Sequence, residues 1–234
     1  MSYAVRIALI AALGGFLFGF ETAVISGAEQ TIEKLWDLTP NQLGLTVASS
    51  LFGTVLGSVI TGIPAQRYGR KKVLFAIGLM YVASAIGCAM SSGLLLFVIF
   101  RFIGGVAVGA SSVVGPMYIS EISPANQRGR LAGSFQLNIV LGIFVAYISN
   151  YFFAGSGEDS WRWMLGVMVV PAAAYALLVR MIPESPRWLI LNHEVEKAIP
   201  IMNRIGETNP QKAIDDIRAS VSGIKEKLFQ PRYS

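Results

Sequence analysis

The sequence predicts an all-α membrane protein, a six-transmembrane-helix bundle followed by short helices at the C-terminal end. Three observations predict it. Hydrophobic residues make up 53% of the 234 positions and charged residues only 14%, a balance foreign to soluble domains. The charge is unevenly placed, with 18 Lys, Arg, Asp and Glu in residues 1–182 and 15 in the last 52. Six successive segments approach or exceed the roughly 20 apolar residues that a helix needs to cross a bilayer.

Those segments are Ala4–Ala28, Leu43–Ala65, Val73–Ser91, Leu94–Ser120, Leu131–Phe153 and Trp161–Ile182. Turn-forming or charged stretches separate them, such as Asp37-Leu38-Thr39-Pro40, Ser91-Ser92-Gly93 and Gly155–Ser160. The spans are helices because lipid offers backbone N–H and C=O groups no partner outside the segment. Arg6 followed by Ile7–Phe20 resembles a signal peptide, but no small-residue cleavage pattern closes it, so it is taken as a retained first helix. Residues 1–182 are thus expected to form the membrane unit. Residues 183–234 are expected to form an amphipathic segment, helical near Glu194–Ile205 and Gln211–Leu228.

Lys and Arg in the short loops set the expected orientation. Arg67, Arg70, Lys71 and Lys72 follow span two, Arg128 and Arg130 follow span four, and Arg180 and Arg187 flank the exit of span six. The opposite loops carry only Lys34 and Arg162. Both termini are therefore expected in the cytoplasm, in a plasma or bacterial inner membrane. The net charge of +5 belongs to these membrane flanks, and no nucleic-acid partner is expected. The lone Cys88 can form no internal disulfide. One histidine, no metal-ligand cluster, no phosphate-cradling loop and no Gly-x-Ser-x-Gly leave no catalytic set, metal site or cofactor to expect.

Two ionisable residues fall well inside spans, where a charge costs at least about 2.5–3.5 kcal/mol and so faces a partner or a cavity. Glu21 lies seven residues before the outer end of span one, and Arg101 seven residues after the outer start of span four. Both then sit roughly 11 Å below the outer edge, at equal depth and with opposite charge. An ion pair is expected. It either locks the two spans together or serves a carboxyl that takes and releases a proton, with Arg101 as the permanently charged partner. Gln136, Asn138 and Asn150 of span five, with Thr22 and Ser26 of span one, either bond between helices or meet a polyhydroxylated ligand. Gly53, Gly57, Gly62, Gly105 and Gly109 are expected to let helices approach closely.

Four motifs in order resemble the sugar porter family of the major facilitator superfamily. They are Gly14–Gly27, Arg67-Tyr68-Gly69-Arg70-Lys71-Lys72, the series Arg101–Val106, Pro116–Glu121 and Gln127–Arg130, and Pro183–Leu189. The resemblance covers the whole sequence. It implies half of a major facilitator fold, with two three-helix units in inverted repeat. It also implies transport of a monosaccharide across the bilayer, by proton-coupled symport through alternating access. Glu21 then stands at the family's proton-coupling carboxylate and Arg101 at the arginine that answers it. Gln136 matches a glutamine that bonds sugar hydroxyls, and Phe18 and Ile143 match positions lining the cavity. Arg67, Gly69, Arg70, Glu121, Arg128, Glu184 and Arg187 match a cytoplasmic network that closes the outward-facing state.

Two residues depart from the family pattern. Glu replaces the usual Asp at position 21, and Gln66 stands where the basic loop usually has an acid, weakening one closing contact. The family has twelve spans and this sequence has six, so a second half-transporter or a homodimer is expected to supply the other wall. The alternatives are an uncoupled sugar facilitator and a non-transporting sugar sensor or membrane interaction protein.

Overall fold

A computed structural model describes residues 2–124, 126–155 and 157–229, with side chains through Ser220. The described residues form helices and connections only. In chain order these are α1 (Tyr3–Leu35), α2 (Pro40–Ile60), α3 (Gly62–Tyr68), α4 (Arg70–Ala89), α5 (Leu94–Ile122) and α6 (Arg128–Phe153). There follow α7 (Ser160–Gly166), α8 (Val169–Met181), α9 (Pro186–Leu191), α10 (Val195–Ile205) and α11 (Pro210–Phe229). Helices α1, α2, α4, α5 and α6, and the stretch Ser160–Met181, are each long and apolar enough to cross a membrane.

The helix starts are written locally. Ser2 Oγ accepts from Val5 N, and Thr39 and Gln42 form a reciprocal capping box with Pro40 in the first turn. Two expected continuous spans are interrupted, each where a proline removes a donor. Pro64 cannot donate to Ile60, and α2 ends at Ile60 before α3 resumes. Pro171 cannot donate to Val167, and the ladder tightens there, with Val170 N donating to Val167 O at 3.1 Å. Helix α1 runs seven residues past the expected end at Ala28, because Glu29, Glu33 and Lys34 extend it as a polar helix.

Helices α1 and α5 occupy the centre. Helix α6 crosses α1 where Gly15, Gly19 and Gly142 have bare Cα atoms, and α2 crosses α5 at Gly53, Gly57, Gly105 and Gly109. At each of these seven positions a Cβ would collide with backbone of the facing helix. Pairing span one with span four and span two with span five maps one crossing onto the other, the relation an inverted three-plus-three repeat requires. Gly62 is different: nothing lies within 4 Å of its Cβ direction, so the expected close approach does not occur there.

The tail has a small core of its own, built from Leu189, Ile190, Ala198, Met202 and Ile214. Trp188 Nε1 donates to Gln66 O at 2.7 Å, and the Arg204 guanidinium lies 4.0 Å over the Tyr3 ring. The tail therefore sits at the end of the bundle that carries Arg67–Lys72, called the basic end below.

Candidate functional site

The deepest charged groups meet. Glu21 and Arg101 are only 3% and 2% exposed, and Arg101 Nη1 donates to Glu21 Oε1. The same nitrogen donates to the Glu21 backbone carbonyl at 3.3 Å, which ties α5 to α1 twice. Bare Gly104, one turn from Arg101 on α5, leaves room for the carboxyl: a Cβ there would fall 2.6 Å from Glu21 Oε1. Arg101 Nε has no partner among the described residues, so the guanidinium is held by one nitrogen and its fork is not filled. Such a pair is bound but open to rearrangement.

A second cluster sits at the basic end. Arg70 grips Glu121 with both ends of its fork, Nη2 to Oε1 at 2.8 Å and Nε to Oε2 at 2.9 Å. Gly69 ends α3 with φ +94°, a conformation that L side chains rarely adopt, and so turns Arg70 into the bundle. Glu184 accepts from the N–H groups of Arg70 at 2.9 Å, Lys71 at 3.1 Å and Ser185 at 2.8 Å. Burial pushes the Glu184 carboxyl above its ordinary range. The Ser185, Lys71 and Arg70 N–H donors and the Arg70 charge pull against that shift.

Ser185, a member of the Pro183–Leu189 motif with no role expected from the sequence, is buried and donates to Glu121 Oε2 at 2.6 Å. It also caps α9, accepting from Trp188 N at 3.2 Å. A Ser before a Pro at a helix start is a readable capping signal. The other expected members lie apart. Arg67 is exposed, with its guanidinium 5.4 Å from the Tyr68 ring centre. Arg187 donates to Ser220 Oγ at 3.3 Å. Arg128 is exposed and makes no ion pair among the described residues. Gln66 joins through its backbone carbonyl, which receives Trp188.

The expected ligand-facing residues share one face within each of two helices. Phe18, Thr22 and Ser26 follow at four-residue spacing on α1, and Gln136 and Ile143 lie two turns apart on α6. Gln136, Thr22 and Ser26 are exposed, while Phe18 and Ile143 are half-buried. The hydroxyls of Thr22 and Ser26 bond back to their own helix, at Phe18 O and Ala23 O. Asn138 likewise bonds Ser134 O, whereas Asn150 donates across to Val24 O at 3.1 Å and is an interhelical tie.

A family described as sugar (and other) transporters matches residues 7–231. The chain belongs to this family. Its sugar-transporter relatives include the glucose transport protein of Synechocystis sp., 39% identical over 95% of this chain and 50% of that protein. The D-xylose-proton symporter of Escherichia coli K12 is 34% identical over 94% of this chain and 52% of its own length. Among solved structures, the partially occluded inward-open xylose transporter XylE from E. coli superposes with TM-score 0.90 at 34% identity, covering 95% of this chain and 60% of that one. The proton:xylose symporter XylE bound to 6-bromo-6-deoxy-D-glucose superposes with TM-score 0.91 at 33% identity, over 97% and 55%. The chain thus has the six-helix, half-domain architecture of a sugar porter in the major facilitator superfamily, and it is a multi-pass membrane protein. It spans about half the length of the curated relatives it matches. These relatives are transporters, not enzymes.

Proposed function

We propose that this chain forms one wall of a monosaccharide pathway and works in proton-coupled symport by alternating access. The observation that carries the reading is the buried Glu21–Arg101 pair at the centre of a sugar-transporter bundle. A neighbouring guanidinium stabilises a carboxylate, and an apolar setting stabilises the carboxylic acid, so a change in that one contact can bind or release a proton. Glu21 is the proton carrier and Arg101 the fixed cation that releases and recaptures it. The relatives named for proton symport of xylose and arabinose support this assignment.

Gln136 supplies donors and acceptors to sugar hydroxyls, with Phe18 and Ile143 as the apolar lining. An exposed amide within an apolar span supports this, because lipid would leave it unsatisfied. The opposite wall is a second six-helix body, either another half-transporter or a second copy of this chain. Residues 1–182 are the membrane unit, and residues 183–234 are the segment beneath it. The excess of Lys and Arg at the basic end supports a cytoplasmic location for both termini, in a plasma or inner membrane. There Gly69, Arg70, Glu121 and Glu184, with Ser185, hold the cytoplasmic side closed. The exposed Arg67 and Arg128 are the members placed to meet the second body, while Arg187 holds Ser220 of the tail.

The test is uptake of radiolabelled D-xylose, L-arabinose and D-glucose into proteoliposomes, with and without an inward proton gradient. The chain is reconstituted alone and with the C-terminal half of a relative. Gradient-driven accumulation that disappears in Glu21→Gln is the expected result. Equilibration indifferent to the gradient would make the protein a facilitator and overturn the coupling. Absence of uptake of all three sugars in both preparations would overturn the transport reading.

A further inference from the structure

Seven buried side-chain polar atoms have no hydrogen-bond partner among the described residues, and five of them lie on the helices packed around α1 between Gly14 and Glu21. They are the hydroxyls of Tyr81 and Ser84 on α4, Ser111 on α5 and Tyr175 on α8, with Arg101 Nε. An unsatisfied buried hydroxyl costs about 1–3 kcal/mol, so four in succession through one core are unlike ordinary packing. Internal water is the usual partner for such groups.

Their arrangement is a line. Ser84 Oγ and Glu21 Oε1 both crowd the bare Cα of Gly104. Tyr81 lies one turn from Ser84 toward the basic end of α4, within electrostatic range of Glu21 and Tyr175. Ser111 Oγ and Tyr175 Oη converge on the bare Cα of Gly14, 2.8 and 3.0 Å from where a Cβ would stand. That brings the two oxygens within reach of one bridging water. Tyr118 lies two turns past Ser111 on α5, toward the basic end, and its hydroxyl donates to Pro183 O at 2.7 Å, next to Glu184. Hydroxyls therefore follow one another from the central carboxylate to the charge cluster at the basic end.

We propose that these four hydroxyls, the water they hold and Tyr118 at the basic end form a proton path inside the bundle. It joins Glu21 to the basic end through α4, α5 and α8, without using Phe18 of α1 or Gln136 and Ile143 of α6. The proposal rests on the assignment of Glu21 as the proton carrier. Each hydroxyl accepts a proton from one neighbour and gives its own O–H proton to the next, so no group is left charged. The net change is a proton moved between the Glu21 carboxyl and water at the basic end. The titratable groups around Glu21 are Arg101 of α5, which pairs with it, and Tyr81 and Cys88 of α4, which lie within electrostatic range, as Tyr175 of α8 does of Tyr81. Helix α6, packed on α1, has no titratable side chain between Arg130 and Tyr147. Proton and sugar would thus reach the centre by separate routes, and coupling would reside in the Glu21–Arg101 contact alone.

The experiment follows the protonated-carboxyl infrared band of the reconstituted chain after a rapid pH change. The Glu21 band is identified by its loss in Glu21→Gln. The double variant Tyr81→Phe/Tyr175→Phe, which keeps both rings, and Ser111→Ala should each slow the appearance of that band at least about tenfold while leaving its final amplitude. The wild type should show a solvent deuterium isotope effect that the double variant alters. Ser149→Ala removes a buried, unpartnered hydroxyl on α6 outside the line and should leave the rate unchanged. Unaltered rates in the line variants, or equal slowing by Ser149→Ala, would overturn the path while the Glu21 assignment stands. No Glu21-dependent band at any pH would overturn that assignment and the path with it.

Discussion

One nitrogen of Arg101 serves both the carboxyl and the backbone carbonyl of Glu21, so a single guanidinium fixes α5 against α1 at the centre of the bundle. Removing one member of a buried pair leaves the other charge uncompensated, at a cost of about 3–5 kcal/mol, whereas removing both charges relieves it. Arg101→Leu should therefore sharply lower the thermal stability of the purified chain in detergent. Adding Glu21→Gln should recover a large part of the loss. Equal losses in the single and double variants would show that packing, not charge, dominates there.

The glycine crossings make a contrasting pair of predictions. A Cβ at Gly105 would strike the Ser50 backbone carbonyl, which cannot step aside without moving α2. Gly105→Ala should destabilise by about 1–3 kcal/mol, the usual cost of overpacking. Gly62 has open space and an ordinary helical backbone, so Gly62→Ala should be neutral or stabilising by up to about 1 kcal/mol. Paired melting curves check both. A destabilising Gly62→Ala would mean that this glycine approaches something the isolated chain does not contain.

Much of this architecture is legible in the sequence, for identifiable reasons. The apolar edges of spans one and four level Glu21 with Arg101 even though α1 continues as a polar helix to Leu35. Bilayer thickness, not helix length, fixes depth. Gly53, Gly57, Gly105 and Gly109 announce a crossing because their four-residue spacing lines one face. The breaks near Thr61 and Val167 are hidden by continuous hydrophobicity, although Pro64 and Pro171 mark the missing donors. Choosing Arg70 over Arg67 as the partner of Glu121 depends on the direction in which Gly69 turns the chain, which charge counting does not reveal. Ser84 and Ser111 are unreadable as interior groups because α4 and α5 carry apolar residues on every side, so composition does not tell core from lipid face.

Gly69 is the hinge of the basic-end cluster. A side chain there would combine φ +94° with a collision against the Glu184 carboxylate, which is meant to receive the next two backbone N–H groups. Gly69→Ala should cost about 1–3 kcal/mol locally and loosen α9. Amide hydrogen exchange should rise across residues 185–191 and stay unchanged at the centre of α1. Uniform protection in both segments would show that the carboxylate finds another seat without releasing the tail.

The acid at position 184 gives this attachment a direction of pH dependence. Burial raises its carboxyl above the ordinary value of 4.5, and the N–H donors of Ser185, Lys71 and Arg70 with the Arg70 charge do not cancel that shift. The docked tail therefore binds a proton more tightly than the undocked one. Docking is strongest at and below about pH 4.5 and weakens as pH rises through the raised pKa, after which it changes no further. Glu184→Gln removes the titration but keeps one acceptor for the three N–H groups. The docked fraction can be read from the distance between spin labels placed at the exposed positions Lys72 and Asn192. It should fall with pH in the wild type and stay flat in Glu184→Gln. Parallel pH profiles in the two proteins would assign the dependence to a different group.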